Sequence, residues 1–213
     1  MKKGILTGIL SLVCLLFLSA CGGDQMTTED ATDYLKSILD ANYKADFTEY
    51  VEQTGATEEE AQESYDAIID NTMEGLGLTD LGVSDELNKK FRELFVELSS
   101  LANYEMGEAK STEDGFEVTV IVYPFQGFAG LQEEIVERAQ TDLENLEEYP
   151  QDDAAMNEFI MTEMYDLMSE AIADPTYGDY EECTVHVNES EESYEIPEDD
   201  LTAVDNALFP NNL

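Results

Sequence analysis

The chain carries a single histidine, His186, and three cysteines, Cys14, Cys21 and Cys183. Nucleophilic catalysis by cysteine needs a histidine within hydrogen-bond reach. Cys183 and His186 stand three apart in a segment where Cys183, Val185 and Val187 alternate with Thr184, His186 and Asn188. Such alternation marks a strand, and an odd spacing on a strand sends two side chains to opposite faces. The pattern predicts a small core thiol and a solvent-side imidazole rather than a catalytic pair. A serine triad would have to use the same histidine, and one histidine beside one free thiol is too few for zinc.

Other chemistry would have to come from carboxylates or thioethers. With 50 Asp and Glu residues, a carboxylate pair for glycoside hydrolysis can be drawn almost anywhere, so no particular pair is singled out. Asp70-Asn71-Thr72-Met73-Glu74-Gly75 imitates the start of a calcium loop, but its twelfth position is Leu81 and its first lies inside a helical pattern. A helix ending at glycine explains it better. Met161, Met164 and Met168 share one helical face, a spacing suited to Cu(I) or to an adaptable groove for an apolar peptide. Interleaved with Phe159, Ile160, Tyr165, Leu167 and Ile172, they read first as core. Phe125-Gln126-Gly127-Phe128-Ala129-Gly130 follows a strand and lacks the lysine of a phosphate loop. It places two phenylalanines in a flexible loop, where binding surfaces are common, so Phe125 and Phe128, with the three methionines, form the candidate interaction surface.

Cys21 has a different role. Lys2 and Lys3 precede an apolar run from Ile5 to Leu18 that ends in small residues. The run is shorter than the roughly 20 apolar residues of a spanning helix and has the plan of a secretory signal. Leu18-Ser19-Ala20-Cys21 resembles a bacterial lipobox, in which a diacylglycerol thioether forms on the cysteine and a peptidase cuts just before it. Residues 1–20 then form the signal peptide and residues 21–28 a lipidated tether. Two acyl chains, each CH₂ contributing about 0.8 kcal/mol, anchor firmly where one does not. Cleavage leaves Cys183 as the one free thiol, so no intramolecular disulfide forms.

Formal charge is −41, from 9 basic and 50 acidic residues. A polyanion needs clustered Lys and Arg, which excludes nucleic acid as a partner, and an anionic membrane surface repels the domain, leaving the acyl anchor to hold it. The 43% hydrophobic content, with eleven Tyr and nine Phe, argues for a folded domain rather than an acidic disordered tail.

Helical periodicity dominates the first half. Tyr34, Leu35, Ile38 and Leu39 share a face after Thr27 and Thr28, and Phe47 to Tyr50 forms a helical turn. Thr57 and Glu60 have capping-box spacing before Ala61, Tyr65, Ile68, Ile69, Thr72 and Met73. Leu87, Phe91, Leu94, Phe95, Leu98, Leu101 and Ala102 make the broadest stripe. The period then changes to two over Phe116 to Tyr123, with Glu113-Asp114-Gly115 turning back to a partner strand at Tyr104 to Lys110. Helices over Leu131 to Leu146 and Met156 to Ala173, the strand through Cys183, a short strand Tyr194 to Ile196 and a helix Asp199 to Leu208 complete the chain. The expected class is α+β: an antiparallel sheet of three to four strands with about six helices, a helical region at 29–103 that is a candidate subdomain, and an α+β region at 104–213.

Asn42 to Tyr50, Glu58 to Gln62, Tyr65-Asp66, the strand Val118 to Tyr123 closing at Pro124, and Tyr194-Glu195-Ile196 before a short helix together resemble a family of small lipoproteins of Gram-positive bacteria that has no assigned activity. The resemblance implies a lipid anchor and an extracytoplasmic domain, and it carries over no functional residues and no cofactor. The expected function is a lipid-anchored interaction protein without enzymatic activity that binds a protein or peptide near the membrane. A cation-binding lipoprotein using calcium or copper, and a hydrolase using carboxylates, are the alternatives.

Overall fold

The computed structural model describes residues 26–78, 80–145, 149–190 and 194–210. The signal segment, Cys21 and most of the tether lie outside the described residues. Among the described residues, seven helices and four strands follow one another as α1 (Thr28–Lys44), α2 (Thr48–Thr54), α3 (Glu58–Gly75), α4 (Asp85–Ser100), β1 (Asn103–Ser111), β2 (Gly115–Tyr123), α5 (Leu131–Asn145), α6 (Asp153–Ala173), β3 (Glu181–Glu189), β4 (Tyr194–Glu195) and α7 (Glu198–Leu208). The α+β class and the antiparallel four-stranded sheet agree with the sequence reading. The turn expected at Phe47 runs on as α2, a seven-residue helix closed by Gly55 at φ 72°.

Helix starts follow local chemistry. Thr27 with Asp30 and Thr57 with Glu60 form reciprocal capping boxes, satisfying orphan N–H donors in the first turn. Ser84 caps α4 and is itself held by Glu158 of α6, whose two carboxylate oxygens accept from its N–H and its hydroxyl at 2.6 Å each.

The sheet is a meander, β1-β2-β3-β4, antiparallel throughout. A bulge between Met106 and Ala109 shifts the β1–β2 register, bending the edge strand. Gly115 starts β2 at φ 140°, and a Cβ there would lie 2.2 Å from the carbonyl oxygen of Val187, so only glycine allows β3 to approach.

α1 and α7 pack on the same face of the sheet, over Phe116, Val118, Val120 and Val122 of β2 and Val185 and Val187 of β3. α1 also touches α2, α3 and α4, and it is buried on nearly every side for that reason. α6 packs on α4, and α5 packs on α6. One continuous core takes side chains from Ala31 in α1 to Phe209 beyond α7, so it draws on both the 29–103 and the 104–213 regions.

The other sheet face has no helix on it among the described elements. Cross-strand register lines up its outward residues: Asn103 with Tyr123, Glu105 with Ile121 and Glu182, Thr119 with Thr184, and Lys110 with Glu117 and His186. These side chains are half-buried or exposed.

Candidate functional site

The residues proposed from sequence as an interaction surface divide between core and boundary. Phe125 is only 4% exposed. Its ring packs edge-on against Phe128 at 5.0 Å and lies 6.2 and 6.3 Å from Tyr177 and Phe209. The loop is knitted down rather than flexible: Phe125 N–H donates to Leu208 O, Gln126 N–H to Thr176 O, and Gly178 N–H to Pro124 O, each at 2.8 Å. Gly127 is needed because a Cβ there would meet the Phe125 ring at 2.4 Å. Expecting an exposed Phe125 is therefore corrected: the loop turns its aromatic residues inward to close the end of the core, and Phe128 is half-buried against it. Met161 and Met168 are buried and Met164 half-buried, which leaves no thioether face open for copper or for an apolar groove.

The calcium-like segment also resolves to structure. Asp70 lies within α3, and its carboxylate receives Arg92 of α4 at 2.8 Å while Asp66 receives the same guanidinium at 2.9 Å. Among the described residues no group of three or more His, Cys, Asp or Glu is arranged to hold a metal.

Cys183 and His186 fall on opposite faces of β3. Cys183 packs against the core, and burial pushes its thiol upward, away from the thiolate a nucleophile needs. His186 Nδ1 is hydrogen-bonded to Asp200 Oδ2 at 2.7 Å, and the His186 backbone N–H donates to the same oxygen at 2.8 Å. Its Nε2 lies 3.9 Å from Glu117. Asp200 thus covers β3 beyond the two-residue β4, capping an edge donor that would otherwise invite strand pairing. The contacts described for this imidazole are two carboxylates, which can orient it but offer no serine or thiol to activate.

A buried polar cluster escaped the sequence reading. Asp40 on α1, 8% exposed, accepts from Lys44 Nζ at 2.8 Å and from the Tyr104 hydroxyl at 2.6 Å, and is paired with Lys36. Lys44 also lies over the Tyr104 ring at 4.2 Å. Burial alone would raise Asp40, but the hydrogen bonds from Lys36, Lys44 and Tyr104 outweigh it and hold the carboxyl below its ordinary value. Burial, reinforced by Asp40, drives the Tyr104 hydroxyl far above the ordinary phenol value. The signal was the i, i+4, i+8 placing of Lys36, Asp40 and Lys44 on one helix face. Tyr104, 64 residues beyond Asp40, could be placed there only by the fold.

Between α5 and α6, Glu163 is 9% exposed. Arg138 bridges it at 3.1 Å and Glu170 at 3.0 Å. Burial, with Asp142 adding to it, raises the Glu163 carboxyl above its ordinary value.

The meander with helices on one face defines an α+β domain. The crystal structure of a protein assigned as a lipoprotein, ycdA from Bacillus subtilis, superposes with a TM-score of 0.61 at 14% identity over 85% of this chain and 56% of that one. The chain therefore spans little more than half the length of that neighbour, and at this identity the likeness is one of fold. No protein-family model matches the chain, and no curated sequence matches it. No helix among the described residues is long and apolar enough to cross a membrane.

Proposed function

We propose that this protein is a lipid-anchored, extracytoplasmic interaction protein without enzymatic activity, acylated at Cys21 and carrying its folded domain a few residues from the bilayer. The apolar run closing on Leu18-Ser19-Ala20-Cys21 supports the anchor, as does a fold shared with a protein assigned as a lipoprotein. The observation that carries the interaction role is the sheet face without a helix, where Tyr123 and Tyr180 pair at 6.4 Å beside outward glutamates. A large aromatic ring left at the surface is typical of a contact site. The first described helix starts at Thr28, seven residues after Cys21, which keeps the domain within reach of partners held in or near the membrane.

The test is made on whole cells expressing the full chain. Metabolic labelling with a fatty acid should mark the wild type, and Cys21→Ala should lose the label and retain the uncut signal segment, read as a larger intact mass. Protease treatment of intact cells then reports the face of the membrane. An unlabelled wild type, or a Cys21→Ala variant that keeps the label, overturns the anchor.

A further inference from the structure

We propose that the uncovered sheet face docks a basic segment of a partner protein, with lysine or arginine side chains seated on the Tyr123–Tyr180 pair and between Glu105 and Glu182. This inference rests on the interaction role above and names the chemistry of the partner.

Register fixes the geometry. Glu105 and Glu182 flank Ile121 on neighbouring strands, so their backbones stand about 10 Å apart, two strand spacings. Tyr123 is two residues along β2 on the same face, and its ring meets that of Tyr180, which is 59% exposed. The basic side chains of this face are already engaged at its other end: Lys110 is paired with Glu117 at 2.6 Å, and the His186 ring is hydrogen-bonded to Asp200. Neither Glu105 nor Glu182 has an ion-pair partner among the described residues. An apolar centre, an aromatic pair and two unneutralised carboxylates thus occupy one end of the face. Aromatic faces attract guanidinium and ammonium groups, and carboxylates take guanidinium in paired hydrogen bonds. The complement is a segment bearing cations on alternate positions, as an extended strand presents them. A polyanion or an acidic peptide meets like charge here.

The probe is a fluorescent twelve-residue peptide of alternating lysine and threonine, titrated by anisotropy into the soluble domain, residues 24–213, with the alternating glutamate–threonine peptide as its counterpart. Circular dichroism first establishes that the domain and each variant are folded. At 0.15 M salt the Debye length is about 8 Å, so diffuse attraction is largely screened. Saturable binding of the basic peptide alone is expected. Glu105→Gln/Glu182→Gln/Tyr180→Ala should weaken it tenfold or more. Glu58→Gln/Glu63→Gln on α3, which removes the same number of charges, should change it less than twofold. Equal loss in both variants would mean general charge attraction and overturns the proposal, as does absence of saturable binding in a folded wild type. Self-association of the wild type that the sheet-face variant abolishes, without peptide binding, assigns the face to a second copy and overturns it too. The broader interaction role is read separately, by crosslinking on intact cells. Crosslinks that survive in the sheet-face variant place the partner elsewhere on the molecule, whereas a wild type with none removes the role itself.

Discussion

The hydroxyl of Tyr104 on β1 donates to Asp40 on α1 at 2.6 Å and ties the edge strand to the central helix. Both residues are buried, so loss of the hydroxyl removes a hydrogen bond to a charged group. Tyr104→Phe should destabilise the domain by about 1.5–3 kcal/mol, read as a lower midpoint in urea at unchanged slope. Because the Asp40 carboxyl is held below its ordinary value, its contribution is complete above the unfolded value of about 3.9. That contribution is lost as pH falls through the lower folded value. The stability gap between the wild type and Asp40→Asn should therefore close in strong acid.

Glu163 has the opposite sign. Its carboxyl is raised in the folded state by burial first and by Asp142 second. Its folded form therefore binds a proton more tightly than its unfolded form, and stability falls as pH rises from about 4.3 upward through the folded value. The groups facing it are Asp142 and Arg138 from α5, with Asp166 on its own helix, and Arg138 is shared with Glu170. Hydrogen exchange over residues 131–145, corrected for intrinsic rates, should be slower at pH 5 than at pH 7.5. Glu163→Gln should flatten much of that difference. An unchanged pH dependence in the variant would assign it to other groups.

Phe125 and Tyr180 should separate core from surface. Phe125→Ala empties a site surrounded by Phe128, Tyr177 and Phe209 and should cost about 3–5 kcal/mol. Tyr180→Ala, at an exposed position, should stay within about 0.5 kcal/mol. Denaturant midpoints of the two variants decide the matter.

Gly115→Ala puts a methyl group where the Val187 carbonyl oxygen already lies, at a φ of 140°. Backbone strain of this kind costs about 1–3 kcal/mol, and the steric overlap adds to it. A thermal midpoint lowered by several degrees is expected, together with faster exchange at the β2–β3 pairing. Gly130→Ala, which has open space around its Cβ at φ 81°, should be milder.

The elements were legible in the sequence wherever period and punctuation agreed. Thr57 and Glu60 marked a helix start at their true positions, and the alternation from Phe116 to Tyr123 gave both the strand and its buried face. Cys183 and His186 were placed on opposite sides by spacing alone. The loop after β2 misled because glycine spacing reports freedom of the chain, not the direction its aromatic residues take; Phe125 turns inward to meet Phe209, 84 residues later in the sequence. The Asp40 cluster and the outward rows of the sheet stayed hidden for a related reason. Each joins segments distant in the chain, and polar residues on a strand look alike whether they face solvent or a partner.

α1 is both the first described helix and the one enclosed on the most sides, between the sheet and α2, α3 and α4. Tension drawn through the N-terminal segment therefore enters the molecule at its centre. To extract α1, a pull must shear it past two layers at once and break the Tyr104–Asp40 tie as it goes. Unravelling cannot begin by peeling off a peripheral element such as α5, so the domain resists load applied ahead of α1 as a single mechanical unit.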